Sequence, residues 1–534
     1  MTSARVAAAL VLCLAVSLQL GALYERRRGL SARDAPPPPR AAAQAPRAGD
    51  AASVRLLLQK TASIVTSQLL PRAHTPRCRA TIQAFANELD AGNSSHVAFR
   101  HPIAEVHCAI DTIAASKDVN QWAFHPRSIG YVAPRLAAGG DDQATIAFVL
   151  QMPNSPNFAQ LRRLLTRLLA PRHVYLFCVD ARPDEEESTA RTVAKLGALV
   201  AQIAQAREIM VRWWGTDATV DVVYTGPGLM DAQIASWRRL LRGDVPHWDT
   251  VINLTPSDYP MKTTTWMAKY LAHHGAISWT ESFLQNTDYG NGRKLHEVVL
   301  ACPDEPCGEH PPTAAPVKVQ RAARRKSAAL EARQINDGDG ATPCHGFVFH
   351  AEGARKPPLG PSREFGGSAF SALHRSYVES TTKCLAPLLG ESAEQEVDAD
   401  SAAYCESVRT MYRYYASTFC PEELFVQTVL FNGPFCRDTP NKGGNLRWVA
   451  WDAEDQRQER DRQNTNDITT KRPGFITVQY AHKFFFPKTP VCKGACLDEY
   501  MPLFARKFHA NRHPDVFAVL DDAAEAWQKT TIFE

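Results

Sequence analysis

The sequence predicts an α/β fold built around a parallel sheet, and three observations lead to this prediction. Residues Thr250 to Leu254 form a short apolar run rich in β-branched side chains, as in a buried central strand. A strand–helix–strand pattern precedes it, from Thr145 to Val179. Pro256 and Pro260 end the central run, which then opens into a loop. Ligands of open α/β sheets bind beyond the carboxyl ends of such strands, so we expect a site there.

The length and charge of the chain limit the classes of function. Its 534 residues, 45% of them apolar, suffice for one large domain or two ordinary ones. A net charge of +4 arises from 60 basic and 56 acidic residues, which is close to balance. This balance lacks the basic footprint of a nucleic-acid-binding protein, so nucleic acid is not an expected partner.

The N-terminus carries an apolar stretch from Val6 to Tyr24. This stretch is long enough to span a bilayer and longer than the core of a usual signal peptide. Its heavier positive flank, Arg26 to Arg28, lies on the wrong side for a simple N-in orientation. A cleaved signal peptide stays an alternative, but the length favours a signal anchor over residues 1–28. Both alternatives place the body of the protein in a lumenal compartment.

Two regions separate this segment from the predicted sheet. Residues 29–50 are rich in proline, alanine and arginine, including Pro36 to Pro39, and predict an extended stem. Residues 51–140 show helical patterns together with Cys78 and Cys108. We interpret them as a helical preface tied by disulfides.

Cysteine usage agrees with an oxidising compartment. Of 13 cysteines, Cys13 lies in the apolar N-terminal stretch, which leaves an even number for the body of the protein. The close pairs Cys302/Cys307 and Cys492/Cys496 lack a matching second pair with histidine at finger-like spacing. We therefore expect disulfides rather than zinc at these cysteines.

The first predicted strand–helix–strand unit ends on an acidic residue. A strand at Thr145–Gln151, a helix at Asn157–Leu169 and a strand at His173–Val179 lead to Asp180. Nucleotide-binding folds contact a ribose or base with a carboxylate at this position. Alternatively, Asp180 caps the helix that begins near Ser188. The spacing alone does not separate the two.

The alternation of helices and strands continues to the central strand. A helix at Thr189–Arg207, a strand at Asp221–Tyr224 and a helix at Leu229–Leu241 are predicted. The turn Thr225-Gly226-Pro227-Gly228 allows a ligand to approach the backbone closely, although such a turn is more often only a turn.

Residues 301–345 interrupt the pattern and predict an exposed insertion. It contains Asp337-Gly338-Asp339, and many nucleotide-sugar transferases bind a divalent metal with an Asp-x-Asp motif. Such a motif should end an apolar strand, whereas the flanks here are polar. Asp398-Ala399-Asp400 lies in an acidic run, and the loop after the central strand offers only Asp258. We therefore predict no catalytic metal.

Residues 420–430 have the features of a helix start. Pro421 occupies the first position, and Glu422 and Glu423 follow in the first turn. N–H groups at a helix start favour the ionised form of a carboxylate, which is the form that accepts a proton. The alternative is that Glu423 only caps the helix or complements its dipole.

Five segments, in order, resemble the core-2/I-branching β-1,6-N-acetylglucosaminyltransferase and peptide O-xylosyltransferase family (glycosyltransferase family 14). They span about residues 145–510: IAFVLQM…VDARP, INLTPSDYPMKT, REFGGSAFSALHRSYVES, PEELFVQTVLFNGPF…NLRWVAWD and FARKF.

The resemblance implies a GT-A-type glycosyltransferase with a Rossmann-like nucleotide-sugar half over residues 141–515, followed by a C-terminal tail over residues 516–534. It also implies inverting, metal-independent transfer from UDP-xylose, UDP-GlcNAc or UDP-glucuronate to a hydroxyl of a glycoprotein or glycan. With the N-terminal anchor, it implies a Golgi or ER/Golgi single-pass type II membrane protein with a lumenal catalytic domain.

The resemblance also implies roles for charged residues. Glu423 matches the family's catalytic base. Arg506 and Lys507 match the cations that hold the departing UDP, although such a pair is by itself usually solvated. Some members place a second arginine roughly twenty residues before this lysine, and here only His482 and Lys483 are near that position.

The remaining site residues follow from the same match. Asp180 and Arg182 would orient the uridine, and Gly367 and Ser368 would form a tight turn near the diphosphate and sugar. Asp258 would face the sugar or the acceptor.

One alternative belongs to a different functional class. In this alternative, the chain keeps the fold as an inactive lumenal glycan-binding or scaffold protein. Phe370 stands where the family commonly has tryptophan or tyrosine, which is a departure. The retention of Glu423 together with Arg506 and Lys507 argues against lost catalysis.

Overall fold

A computed structural model describes most residues from 143 onwards and parts of the region before them. The described residues are 143–181, 186–218, 220, 222, 226–281, 364–390, 399–438, 445–450, 475–484 and 502–528, with shorter stretches between 55 and 100 and between 283 and 359. None of their helices is both long enough and apolar enough to cross a membrane. The predicted anchor (residues 1–28) and stem (residues 29–50) lie outside the described residues.

The strands and helices are named here in chain order. The strands are β1 Ala98–Arg100, β2 Ile146–Met152, β3 Val174–Val179, β4 Trp213–Asp217, β5 Thr250–Leu254, β6 Asp258–Pro260, β7 Trp279–Thr280, β8 Phe283–Leu284, β9 Glu297–Ala301, β10 Arg333–Gln334, β11 Gly346–His350, β12 Lys356–Leu359, β13 Phe365–Gly366, β14 Ser371–His374, β15 Arg447–Val449 and β16 Phe504–Arg506. The α-helices are α1 Pro76–Asp90, α2 Phe158–Leu168, α3 Glu186–Ala206, α4 Gly228–Leu240, α5 Thr264–His274, α6 Arg375–Leu385, α7 Ala399–Tyr415, α8 Phe425–Asn432, α9 Val478–Phe484 and α10 Val516–Gln528. A π-helical turn lies at Val65–Leu69, and 3₁₀ turns lie at Leu70–Arg72, Ala386–Leu389, Pro421–Glu423 and Pro434–Asp438.

The main sheet has six strands in the order β4-β3-β2-β5-β14-β7. Strand β2 pairs in parallel with β3 and β5, and β4 pairs in parallel with β3. From β2 the chain runs outwards to β3 and β4, and it returns on the other side of β2 with β5. The strand order therefore reverses between β2 and β5, which opens a crevice at the carboxyl ends of these strands. The α/β fold and its first βαβ unit are confirmed.

The core lies on both faces of this sheet. Ile146, Phe148 and Leu150 of β2 pack with α2, α3 and α5 on one face. Ala147 and Val149 of the same strand pack with α4, α6, α7 and α8 on the other face. Both faces are covered by helices, which explains why the central strands are continuous apolar runs.

The outer parallel strand differs from the prediction. Strand β4 lies at Trp213–Asp217, whereas the predicted strand at 221–224 falls largely outside the described residues, and Val222 is not in a strand. Strand β4 forms an edge of the sheet. Its sequence WWGTD contains a glycine and an aspartate, because an edge strand needs less apolar burial than a central one.

A second, small sheet brings three distant segments together. Strand β16 lies in the middle, antiparallel to β6 and parallel to β15. In this register, Arg506 lies opposite Asp258. Each strand has only three residues, so the sequence carries no periodic signal for them.

The C-terminal boundary lies further along the chain than predicted. Residues 516–528, predicted as part of a tail, form helix α10 and belong to the core. Val516, Phe517 and Leu520 are buried against the small sheet. The hydroxyl of Tyr259, in β6, donates a hydrogen bond to Asp521 Oδ1 at 2.8 Å. The domain therefore extends to at least Gln528.

The predicted helical preface is tied to the rest of the fold. A disulfide joins Cys78 of α1 to Cys302, directly after β9. Cys302 is thus disulfide-bonded, as predicted, and its partner is Cys78. Strand β9 pairs with β11 antiparallel, so the predicted insertion at 301–345 connects two adjacent strands. Most of this insertion, including Asp337-Gly338-Asp339, lies outside the described residues.

A second disulfide links the helices on the far side of the sheet. It joins Cys384 of α6 to Cys405 of α7, and Cys436 is also disulfide-bonded. Cys178 in β3 is instead a thiol within hydrogen-bonding distance of Ser236, at 2.9 Å. Burial raises the pKa of this thiol to about 12, so it stays protonated and unreactive.

Candidate active site

Asp180 lies at the carboxyl edge of the main sheet, directly after β3. Its N–H donates a hydrogen bond to the carbonyl of Met152, and its carboxylate accepts one from the N–H of Val222 at 2.9 Å. Thr189 Oγ1 donates to the Asp180 carbonyl oxygen at 3.2 Å. The described contact of the carboxylate is thus with the loop at Val222, whereas the contact with helix α3 is made by the backbone carbonyl of Asp180. Contact with uridine stays a prediction, and Arg182 lies outside the described residues.

Glu423 ends a 3₁₀ turn rather than beginning an α-helix. The turn covers Pro421–Glu423, and helix α8 starts only at Phe425. Leu424 interrupts the helix with φ −129° and ψ −47°, which explains the difference from the prediction. Glu422 is buried and Glu423 is half-buried. Of the two carboxylates, Glu423 is therefore the one with more access to a ligand.

Gly367 is packed directly against the Glu423 turn. Its N–H donates a hydrogen bond to the Glu423 carbonyl oxygen at 2.9 Å. A Cβ atom on Gly367 would lie 1.7 Å from the Glu281 carbonyl oxygen, so only glycine fits this position. Gln427 Nε2 of α8 donates to the Ser368 carbonyl oxygen at 2.7 Å. Gly367 and Ser368 are thus brought together with Glu423, and their contact with the diphosphate and sugar stays a prediction.

Helix α8 also fixes the strand before this turn. Thr428 Oγ1 accepts a hydrogen bond from the Phe365 N–H at 3.0 Å and donates one to the Phe365 carbonyl oxygen at 3.1 Å. The Tyr415 hydroxyl lies 3.1 Å from the same Thr428 oxygen and donates to Glu364 Oε1 at 3.0 Å. These hydrogen bonds therefore hold the segment from residue 364 to 368 against α8.

Asp258 is the centre of a buried ionic cluster. Its side chain has no exposed surface, and its Oδ1 lies 3.3 Å from Arg447 Nε and 3.9 Å from Arg506 Nε. Its Oδ2 accepts hydrogen bonds from the Thr255 N–H at 2.5 Å and the Thr255 hydroxyl at 3.0 Å. A carboxylate that is buried and engaged in this way is not placed to touch a sugar or an acceptor. The predicted direct role of Asp258 is therefore not supported by this geometry.

Phe370 joins the two arginines of this cluster. Arg447 Cζ lies 4.1 Å from the centroid of the Phe370 ring, and Arg506 Cζ lies 4.2 Å from it. The Phe370 N–H donates to Ser368 Oγ at 3.2 Å, so this ring belongs to the same short segment as Gly367, whose N–H contacts the Glu423 turn. The phenylalanine that departs from the family pattern is thus packed on guanidinium groups.

Arg447 was not assigned a role from the sequence. Besides Asp258 and Phe370, it contacts the end of the central strand, where its Nη2 donates to the Asn253 carbonyl oxygen at 2.6 Å. The Asn253 side chain bonds to the backbone of Ala369 and Ser371 at 2.8 and 2.7 Å. The sequence does contain a signal for Arg447, because it is the arginine of the Asn-Leu-Arg motif in the fourth segment that resembles the family.

Lys507 follows Arg506 at the same end of the small sheet. Its side chain is half-buried, and its carbonyl oxygen accepts the N–H of Ile476 at 2.8 Å. The next residue, Phe508, donates its N–H to the Ser257 carbonyl oxygen at 2.9 Å. The cationic segment is therefore fixed to the loop that leaves the central strand.

These contacts connect the backbone of the residue that carries the Glu423 carboxylate to a guanidinium group. The path runs from the Glu423 backbone through Gly367 and Phe370 to Arg506. A half-buried carboxylate can accept a proton, and a guanidinium group can oppose the charge of a phosphate. The arrangement suits a reaction in which a hydroxyl loses a proton while an anionic group departs.

A model of the family described as "Branch: Core-2/I-Branching enzyme" matches residues 146–314. Xylosyltransferase oxt of Drosophila melanogaster is 34% identical over 332 residues, which are 61% of this chain and 29% of that protein. Xylosyltransferase 1 of Homo sapiens is 23% identical over 57% of this chain and 24% of its own length. Xylosyltransferase 1 of Rattus norvegicus is 22% identical over 70% of this chain and 37% of its own length.

The chain spans well under half the length of these curated relatives. The family match begins at the first residue of β2 and includes the strands that end at Asp180 and precede Asp258. The longest of these alignments covers more than two thirds of the chain. The part of the chain that contains β2 to β9 is therefore similar to the core-2/I-branching enzyme family (glycosyltransferase family 14).

Proposed function

We propose that the protein is a GT-A-type glycosyltransferase that moves a sugar from a UDP-sugar to a hydroxyl of a glycoprotein or glycan, with inversion. The observation that carries the proposal is the connected path from Glu423 through Gly367 and Phe370 to Arg506. UDP-xylose is the first donor to test, because the similar proteins are xylosyltransferases. UDP-GlcNAc and UDP-glucuronate are the next candidates.

The proposed reaction is a single displacement. Glu423 accepts the proton of the acceptor hydroxyl, and the oxygen attacks the anomeric carbon from the face opposite UDP. The bond between that carbon and the β-phosphate oxygen breaks, and its electron pair leaves with UDP. Arg506 and Lys507 oppose the negative charge that builds up on the diphosphate.

The donor would lie along the carboxyl edge of the main sheet. Asp180 lies at this edge and would contact the ribose or base, with Arg182 as its proposed neighbour. Gly367 and Ser368 form the backbone segment between Glu423 and Phe370, where the sugar and diphosphate would meet.

We propose that transfer needs no divalent metal, because two adjacent cations can supply the charge that a metal would provide. Transfer should therefore be unchanged when the protein is assayed with excess EDTA. Loss of transfer with EDTA and its recovery with manganese would refute metal independence and direct attention to Asp337 and Asp339.

A lumenal Golgi location, with the N-terminal segment as a type II anchor, is also part of the proposal. Two described disulfides, Cys78–Cys302 and Cys384–Cys405, support an oxidising compartment.

The decisive experiment compares Glu423→Gln with Glu422→Gln. Glutamine keeps the size of the side chain but cannot accept the proton, so Glu423→Gln should lower transfer by about 10²–10⁴-fold. Its affinity for UDP should stay near that of the wild type. Glu422→Gln is the matched control, because it is the same change one residue away on a buried side chain. Sugar transfer and UDP binding by calorimetry are measured on the same preparations.

Three other outcomes have different meanings. Loss of UDP binding or of folding in Glu423→Gln would make Glu423 a structural cap. A loss of transfer confined to Glu422→Gln would move the base by one residue. Wild-type protein that binds UDP but transfers no sugar from any of the three donors would instead favour the inactive glycan-binding or scaffold protein.

A further inference from the structure

We propose that Phe370, Arg447 and Asp258 are positioning residues for Arg506, and that together they hold its guanidinium group ready for the departing diphosphate. The inference rests on the proposed function, because it concerns the same site. It adds three residues that act through Arg506 and do not touch the donor.

The ring of Phe370 fixes one side of the Arg506 guanidinium group. The distance from Arg506 Cζ to the ring centroid is 4.2 Å, which is the range of a cation–π contact. The same ring has Arg447 Cζ at 4.1 Å. A ring that contacts two guanidinium groups at these distances cannot turn without losing at least one of them.

Asp258 forms an ion pair on the Nε side of Arg506. Its Oδ1 faces Arg506 Nε at 3.9 Å and Arg447 Nε at 3.3 Å, while its Oδ2 is held by Thr255. The pairing of β6 with β16 places Asp258 and Arg506 opposite each other, so this contact is built into the backbone register. The Phe370 ring and the Asp258 carboxylate thus lie on two sides of the Arg506 guanidinium group.

The two arginines have different accessibility, which assigns their roles. The Arg447 side chain is 1% exposed, whereas the Arg506 side chain is 12% exposed. Arg447 is also anchored to the Asn253 carbonyl oxygen at 2.6 Å. Arg447 therefore holds Asp258 and Phe370 from the interior, and Arg506 is the arginine that reaches the ligand.

Such support matters because a free arginine side chain samples many rotamers. A donor group that is already oriented loses little freedom when charge develops on the leaving group, and so it stabilises that charge more effectively. Because Phe370 is three residues from Gly367, one segment supports both the proposed base and the proposed cation.

The test is a double-mutant cycle on full-length protein with two ligands, UDP and uridine. Phe370→Leu removes the aromatic face but keeps an apolar side chain. Because Phe370 is only half-buried, we expect the fold to tolerate this change. We expect Phe370→Leu to weaken UDP binding by about 2- to 30-fold and to leave uridine binding unchanged. Phe370→Trp keeps an aromatic face and should bind UDP with an affinity near that of the wild type. In an Arg506→Ala background, Phe370→Leu should have no further effect.

A control variant removes the same kind of contact elsewhere. Trp213, on edge strand β4, lies under the Arg239 guanidinium group at 5.1 Å. Trp213→Leu should leave the affinities for UDP and uridine unchanged, because this contact is on the far edge of the sheet.

The outcomes separate this inference from the proposed function. If Arg506→Ala weakens UDP binding but Phe370→Leu does not, the positioning role is refuted and the proposed function stands. Equal losses for UDP and uridine, or additive effects in the double variant, would also refute it, since both indicate general structural damage. If Arg506→Ala leaves UDP affinity unchanged, the assignment of Arg506 in the proposed function fails first.

Discussion

Substitution of Gly367 by alanine tests the geometry of the site most directly. The added Cβ would lie 1.7 Å from the Glu281 carbonyl oxygen, whereas ordinary contact begins at 3.4 Å. The two backbones would have to separate by about 1.7 Å. The two atoms closest to this Cβ are the carbonyl oxygen and carbonyl carbon of Glu281. Both are backbone atoms, so a side-chain rotation cannot relieve the clash.

The Gly367 N–H donates to the Glu423 carbonyl oxygen, so the displacement is transmitted to the proposed base. A misplacement of about 1 Å lowers the rate of an enzyme by about 10²-fold. Overpacking of this kind also costs about 1–3 kcal/mol of the free energy of unfolding. We therefore expect Gly367→Ala to remain folded, with transfer at least about 10²-fold lower and a modestly lower melting temperature.

The assay compares Gly367→Ala with Gly243→Ala, in transfer and in thermal unfolding. Gly243 is the matched control, because a Cβ there would meet nothing within 4 Å. Its substitution should leave transfer unchanged and should not lower the melting temperature. Wild-type transfer by Gly367→Ala would refute the reasoning, because it would mean that the position of Gly367 does not determine that of Glu423.

Two further predictions concern a half-buried carboxylate, Asp231, and a buried one, Asp258. Burial raises the pKa of Asp231 to about 6, and the Tyr412 hydroxyl donates to this carboxylate at 2.8 Å. Because the folded-state pKa is the higher one, the proton stabilises the fold below the unfolded pKa, and this stabilisation is lost as pH rises through about 6. Asp231→Asn should thus increase the free energy of unfolding by up to about 3 kcal/mol at pH 8 and by little at pH 3.5, as measured by urea unfolding. Asp258→Asn should lower it by about 3–5 kcal/mol, because it leaves buried Arg447 beside a neutral amide. Asp244→Asn is the control, because Asp244 pairs with Arg239 at the surface, and it should have no measurable effect on the free energy of unfolding. Equal effects of Asp258→Asn and Asp244→Asn would contradict the buried ionic cluster.

The main sheet could be predicted from the sequence because its strands are buried on both faces. Burial of both faces requires consecutive apolar residues, and β2, β3 and β5 therefore stand out as apolar runs. Strand β4 was missed because it is an edge strand with a glycine and an aspartate. The helix at residue 421 was predicted from proline and acidic residues, but these do not distinguish a 3₁₀ turn from an α-helix.

The candidate site could be predicted only in parts. The motifs that contain Glu423 and Arg506 are local, and each can be identified without the other. The contacts of Arg447 with Asp258 and Phe370 depend on short strands paired between distant segments. Neither composition nor periodicity specifies such pairing, because a three-residue strand is too short to show a pattern.

The disulfide between Cys78 and Cys302 imposes an order on biosynthesis. The two cysteines are 224 residues apart, and a ribosome adds about 5–20 residues per second. Cys78 must therefore wait for between about 10 and 45 s before its partner has been synthesised. During this interval Cys108 and Cys178 emerge first, and Cys178 is a thiol in the final fold. The nascent chain thus meets a wrong partner before the right one, and its yield will depend on how quickly the sheet buries Cys178 and on thiol–disulfide exchange that corrects early pairs.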